Sequence, residues 1–360
     1  MPAGAGTRVD RAVTGARLPR VAAAGQGAPE RLVVLHSLRP PDGTSKYVDQ
    51  MVDGAAPEVD IRFFSWWIAL FGRYDVLHVH WPELLIRDSR RPWLRIVKRR
   101  LLDLLLLRLR LTSTPLVWTA HNLAPHESVT EVERRSLERF SRNIDLVIRL
   151  NPATPDTGPE TVTIPHGHYR RPFARHPMPD REPGRVLYFG IIRPYKGVDT
   201  LVDAFAGLDR EDVRLRVVGD PHPGQNEMIR EAAAQDPRIS SLLRFVDDRE
   251  LVEEISRAQL VVLPYRGTMH NSGSLLAAVS LCRPVLVPES PTNAGLAEEI
   301  GPEWVLQYPG ELSPEVLASA IDATATTSRT EPRLHDRDWD EVGRRHRDAY
   351  RRARAIRGWR

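Results

Sequence analysis

Cysteine is nearly absent from this chain: Cys282 is the only one in 360 residues. One thiol cannot close an internal disulfide, and no cysteine–histidine cluster has zinc-ligand spacing. The flanking run "LCRPVLV" reads as a reduced, buried thiol, which suits a cytoplasmic protein. Also missing is any stretch of about 18 consecutive apolar residues, so no membrane-spanning helix is expected. No strand-like run leads into a full G-x-G-x-x-G turn with an acidic residue at the proper distance after it, which weighs against a nicotinamide-dependent oxidoreductase. The acidic pair Asp336 and Asp338 sits in a highly charged segment and reads as solvated surface. No metal and no cofactor is expected.

What remains is a globular composition, 41% hydrophobic and 27% charged, and at roughly 100–200 residues per domain the length suggests two domains. The opening 30 residues, rich in Ala, Gly and Arg, lack a signal-peptide core and read as a disordered tail. The formal charge of +4 says less than where the cations gather. Residues 90–111, "RRPWLRIVKRRLLDLLLLRLRL", form a basic amphipathic helix that fits two readings: leucines against the core with arginines in water, or a face laid on an anionic bilayer.

Short apolar runs alternate with helical segments along both halves. In the first half the strands read "RLVVLHSL", "DIRFFSW", "YDVLHVHWPE", "PLVWTAHN", "IDLVIRLN" and "VTIPHG". In the second they read "RVLYFGII", "VRLRVVGD", "LLRFV", "LVVLPY" and "PVLVP". Alternation of this kind argues α/β architecture, with parallel sheets covered on both faces. The boundary falls in the Pro- and Arg-rich linker at about 168–184. It leaves a 31–170 domain, a 185–330 domain and a basic helix over 331–360. Two doubly wound, Rossmann-like domains would bind ligands where their strand ends face each other across a cleft.

Two segments at such strand ends carry anion chemistry. "YFGIIRPYKG" sets Arg193 and Lys196 around a turn, within reach of a diphosphate, and Gly190 lets backbone approach a ligand closely. "NSGSLLAAVSLC" starts a helix at which Asn271 or Ser272 is the cap and the amides of Ser272, Gly273 and Ser274 point outward with the helix dipole behind them. Each alone fits an ordinary solvated loop or an ordinary cap.

Together, in this order and with the closing "DWDEVGRRHRDAY" and the N-terminal "HVHWPE" and "TAHNLAPHE", they resemble GT-B glycosyltransferases, particularly family 4 and related bacterial exopolysaccharide glycosyl- and mannosyltransferases. The resemblance runs from about residue 31 onward. It implies hexose transfer from a nucleotide-diphosphate sugar, GDP-mannose or a UDP-sugar, to a lipid-linked or polysaccharide acceptor, by a cytoplasmic enzyme in peripheral contact with an anionic inner membrane face. Arg193, Lys196, Ser272, Gly273 and Ser274 would hold the donor phosphates. Gly190, Asp220, Tyr265 and Asn271 would lie by the nucleotide or sugar. His121, at the end of the "PLVWTA" strand, would meet the donor sugar, Asn122 would fix the loop, and Glu127 and His126 are candidates for the base that takes the acceptor proton. Gly43, Thr44, His80 and Trp81 fall on the acceptor side. Family 4 enzymes carry two glutamates eight positions apart around the second segment; here Met269 and Ala277 stand in their places. That departure puts the retaining mechanism in question and makes inversion an open alternative. A non-catalytic nucleic-acid or membrane-binding protein would account for the arginines but leaves the two anion-binding segments without a purpose, so no nucleic-acid partner is expected.

Overall fold

The computed structural model describes residues 31–42, 46–88, 91–121, 130–156, 158–267, 272–326 and 330–358. Its strands are β1 (Leu32–His36), β2 (Val59–Phe63), β3 (Val76–Val79), β4 (Leu116–Ala120), β5 (Leu146–Arg149), β6 (Thr161–Thr163), β7 (Arg185–Phe189), β8 (Arg214–Val218), β9 (Ile239–Leu242), β10 (Leu260–Val262), β11 (Val285–Pro288) and β12 (Val305–Tyr308). They build two six-stranded sheets, ordered β2-β1-β3-β4-β5-β6 and β12-β11-β10-β7-β8-β9, and every pairing is parallel. The central strands β3, β7 and β10 are mostly apolar and, apart from the half-buried Arg185, buried, because helices cover both faces; His78 in β3 is the polar exception. In each sheet the chain winds outward one way and then reverses, between β1 and β3 in the first and between β7 and β10 in the second. Ligand crevices open at such reversals.

Alternation along the first sheet sorts its side chains by face. Leu35, Leu77, Val79, Leu116 and Ala120 face one core, which includes Leu102, Leu105, Leu106 and Leu109 of the basic helix Pro92–Leu111. Leu32, Val34, Val76, Val117 and Leu146 face the other. That second core is closed by the C-terminal helix Trp339–Gly358, whose Trp339, Val342, Ala349, Tyr350 and Ala353 pack on it. The helix crosses Lys46–Asp53 so closely that a Cβ on Gly343 would lie 1.8 Å from the Gly54 carbonyl oxygen. Trp339 Nε1 donates to His168 O at 2.8 Å, and the buried Arg337 donates to His166 O and to both carboxylate oxygens of Glu299. The last 20 helical residues therefore complete the first sheet instead of standing as a separate basic segment.

Two expected strands are placed differently. "DIRFFSW" stops at Phe63, because Ser65 caps a new helix, Trp66–Phe71, by accepting from Ile68 N at 3.2 Å. The expected strand "LLRFV" is mostly loop. Pairing with β8 begins at Ile239 and ends at Leu242, an edge strand that tolerates Ser240 and Ser241 and leaves Arg244, Phe245 and Val246 at its carboxyl end.

Candidate active site

At the carboxyl edge of the second sheet, a cavity of about 420 Å³ is lined by Gly190, Asp220, Phe245, Gly273, Ser274 and Ala277, with Tyr47 from the first half also on its wall. Its floor depends on two glycines. Gly219 has φ +147° and a Cβ there would fall 1.8 Å from Gly190 O, while Gly190 has φ +124° and a Cβ on it would sit 3.2 Å from Ser274 Oγ. Only glycine meets both demands. The helix Gly273–Ser280 begins at this wall, capped by Ser272, whose Oγ accepts from Leu275 N at 3.2 Å. Gly273 and Ser274, in its first turn, line the cavity, and the free amides of a helix start favour anions.

The cations reach this wall through intermediaries. Arg193 donates to Ile192 O at 3.0 Å and lies 3.5 Å from Asp220 O. Lys196 Nζ rests 3.8 Å above the Tyr265 ring, and the Tyr265 hydroxyl lies 3.3 Å from the capping Ser272 Oγ. Among the described residues Lys196 has no ion-pair partner, so its charge is available to a ligand. A larger cavity of about 880 Å³ opens along the ends of β10, β11 and β12, with Tyr265, Glu289 and Asn293 on its wall. Both close-approach glycines and the helix start belong to the smaller one.

The facing edge of the first sheet is a connected set of histidines. His36 and His78 are Cα partners across β1 and β3, and His80, Thr119 and His121 follow on the same face by alternation. His121 Nε2 lies 3.0 Å from His80 Nδ1, and His80 Nε2 lies 3.1 Å from His36 Nδ1. Tyr350 of the C-terminal helix connects His36 Nε2 (3.3 Å) to His78 Nδ1 (2.9 Å), and His78 Nε2 lies 2.7 Å from Thr119 Oγ1. Burial holds His36 and His121 down to about 3, helped at His36 by the nearby His346 and at His121 by His166 and His346. His78 and His80 are likewise held well below the ordinary value, first by burial and then by neighbouring histidines. The set is neutral. His36, His78 and His80 also bring ring nitrogens within 4.8 Å of one another, a spacing that could hold a metal ion. In this arrangement those nitrogens bond to each other, to Tyr350 and to Thr119.

The structure gathers Gly190, Asp220, Gly273 and Ser274 around one cavity and sets Arg193, Lys196, Ser272 and Tyr265 behind its wall. Ala277, in the place of a family glutamate, lines that wall with a methyl group. His80, expected on the acceptor side, is only 1% exposed, so it meets a ligand only through His121. Trp81 stacks on His121 with centroids 4.3 Å apart and planes at 20°, where it orients the imidazole. Glu127, His126, Asn122, Asn271, Met269, Gly43 and Thr44 lie outside the described residues. Tyr47, Tyr169 and the Arg244–Phe245–Val246 segment were missed by the sequence reading. The last of these was hidden because the expected strand "LLRFV" took in Arg244, Phe245 and Val246, which lie past the strand's end at Leu242.

Comparison with known proteins agrees with this geometry. A family model described as glycosyl transferases group 1 matches residues 183–326. A GDP-mannose:glycolipid 4-beta-D-mannosyltransferase of Xanthomonas campestris pv. campestris is 44% identical over 337 residues, which is 93% of this chain and 95% of that protein. Among solved structures, Anabaena HepE in complex with UDP and glucose superimposes with a TM-score of 0.61 at 15% identity, over 89% of this chain and 100% of that one. WaaG, a glycosyltransferase involved in lipopolysaccharide biosynthesis, does so with a TM-score of 0.53 at 16% identity, over 90% and 99%. Two doubly wound parallel sheets are the architecture of the GT-B fold, and the likeness to the Xanthomonas enzyme makes this chain a glycosyltransferase. The chain belongs to the group 1 glycosyl transferases, and the Xanthomonas mannosyltransferase is a relative along nearly its whole length.

Proposed function

We propose that this enzyme transfers mannose from GDP-mannose to a glycolipid hydroxyl at the inner face of a membrane, with inversion at the anomeric carbon. The observation that carries the reading is the 420 Å³ cavity, in which a helix start and two close-approach glycines meet residues of both halves. The Xanthomonas relative supplies the identity of donor and acceptor. GDP-mannose carries its sugar in the α configuration, so the β product in that relative's name is the inverted one.

In the reaction the acceptor oxygen attacks C1 of mannose, the bond from C1 to the phosphate oxygen breaks, and its electron pair leaves on GDP. Charge growing on the diphosphate is met by the amides of Gly273 and Ser274 and by Lys196 and Arg193, so leaving-group stabilisation needs no metal. The proton lost by the acceptor goes to a base in the segment after β4, for which Glu127 and His126 remain the candidates. His121, neutral and aligned by His80 and Trp81, is offered to the donor sugar. A methyl group at Ala277 removes a hydrogen-bonding carboxylate from the donor wall, which favours an arrangement unlike the retaining one.

Membrane contact is proposed from a second apolar stripe on the basic helix. Beside the buried leucines, Trp93, Ile96, Val97, Leu104, Leu107 and Leu111 are exposed on the opposite side. The adjoining helix Trp66–Phe71 adds Trp67, 73% exposed, and Phe71. Arg91, Arg100 and Arg110 are exposed beside them. Apolar side chains ringed by arginines suit an anionic bilayer surface, and no helix among the described residues is long and apolar enough to cross a membrane. The test of the whole reading is a donor panel: GDP-mannose should support transfer to a lipid-linked saccharide and raise the melting temperature, whereas UDP-glucose and UDP-galactose should do neither. Turnover with a UDP-sugar alone would overturn it.

A further inference from the structure

Tyr47 is the second residue of the helix Lys46–Asp53. It is 8% exposed, and its hydroxyl is buried with no hydrogen-bond partner among the described residues. A buried phenol without a partner costs stability that phenylalanine would not, so its retention here asks for a ligand. The ring has little freedom. It stands edge-on to His121 (5.1 Å, 87°) and to Trp339 (5.8 Å, 66°), and tilted against His166 (5.1 Å, 45°). The residue lines the 420 Å³ cavity together with Gly190, Gly273 and Ser274. His166 in turn packs on Tyr169, whose hydroxyl lies 3.2 Å from where a Gly273 Cβ would be, so the tyrosines and the helix start share one corner.

We propose that Tyr47 donates its hydroxyl hydrogen to the diphosphate of the nucleotide-sugar donor, a contact made from the first half of the chain across the cleft. The inference rests on the donor reading above and adds a residue that neither sequence motif contains. Burial raises the phenol's pKa, which keeps it a hydrogen donor at every working pH. A phosphate-bound hydroxyl held by a packed ring would pull the two halves together when donor enters, since its other anchors belong to the second sheet.

Tyr47→Phe removes one oxygen and leaves the packing. GDP and GDP-mannose binding should be measured by calorimetry for the wild type, Tyr47→Phe and Lys196→Ala, with the melting temperature of each ligand-free protein. For Tyr47→Phe the expected results are an unchanged or raised melting temperature and affinity for both ligands lowered roughly ten- to a hundredfold, the scale of a hydrogen bond to a charged group. Unchanged GDP affinity, or loss for GDP-mannose only, would overturn the phosphate contact. A lowered melting temperature in the ligand-free variant would show a partner within the protein and overturn it too. If Lys196→Ala weakens GDP binding and Tyr47→Phe does not, this inference fails alone; if the wild type binds no GDP, the donor reading fails with it.

Discussion

The Tyr350 hydroxyl stands 2.9 Å from His78 Nδ1, although the two residues are 272 positions apart in the chain. The same oxygen lies 3.3 Å from His36 Nε2, so one phenol on the C-terminal helix connects two strands of the first sheet. A neutral imidazole has one donor nitrogen and one acceptor nitrogen. Among His121, His80 and His36 the direction of one bond therefore sets the direction of the others, and the Tyr350 hydroxyl, which can accept from His36 or donate to it, holds the inner end of that run. Tyr350→Phe should cost roughly 1–3 kcal/mol of stability by leaving buried nitrogens unpaired. It should also lower turnover, by loosening the tautomer that His121 presents to the cleft. Chemical denaturation and kcat measured together check this; a variant as stable and active as wild type would show that the bonds carry no weight.

The same histidines make stability depend on pH. Their folded pKa values lie below the ordinary 6.5, at about 3 for His36 and His121 and about 4 for His166 and His346. The unfolded chain therefore binds more protons in this window, and stability rises with pH. The contribution is whole above about pH 6.5 and is lost as pH falls from there to about 4 for His166 and His346 and to about 3 for His36 and His121, by up to about 1.4 kcal/mol per pH unit for each histidine. Urea unfolding at pH 7 and pH 5 should show a marked loss at the lower value. Equal stability at both would contradict buried, neutral histidines.

At the phosphate wall, Lys196→Ala should weaken transition-state stabilisation by roughly 2–4 kcal/mol while the fold survives, because the lysine has no ion-pair partner among the described residues. Transfer should also persist in excess chelator, since cations and helix amides serve the leaving group. The measurement is kcat/KM for the variant beside the wild type with and without chelator. Wild-type kinetics for Lys196→Ala, or activity abolished by chelation and restored by a metal, would place the leaving group elsewhere.

Trp67→Glu combined with Trp93→Glu should abolish flotation with vesicles containing anionic lipid, without loss of folding, since both indoles stand in solvent. High salt should weaken wild-type attachment by screening the arginines. A double variant that floats like wild type would remove this face as the docking surface.

Much of the architecture was legible because buried parallel strands must be short apolar runs, and the glycine turn at Gly190 and the helix start at Ser272 are local signals. The histidine series was not, because His78 and His80 were read as one strand's end, and their partners His36, His121 and Tyr350 arrive from other elements. Nor was the role of the C-terminal helix: "DWDEVGRRHRDAY" looks charged, yet Trp339, Val342 and Tyr350 share one buried face. The helix Trp66–Phe71 was hidden in an aromatic run that suits a strand equally well, and only the Ser65 cap decides it.

The central claim is inverting transfer of mannose. The measurement that meets it most directly is the anomeric configuration of the mannoside made from GDP-mannose and a lipid-linked acceptor, read from the one-bond C1–H1 coupling in the product's NMR spectrum. The account predicts a β-mannoside. An α-mannoside would mean retention, and would contradict both the displacement described here and the significance given to Ala277.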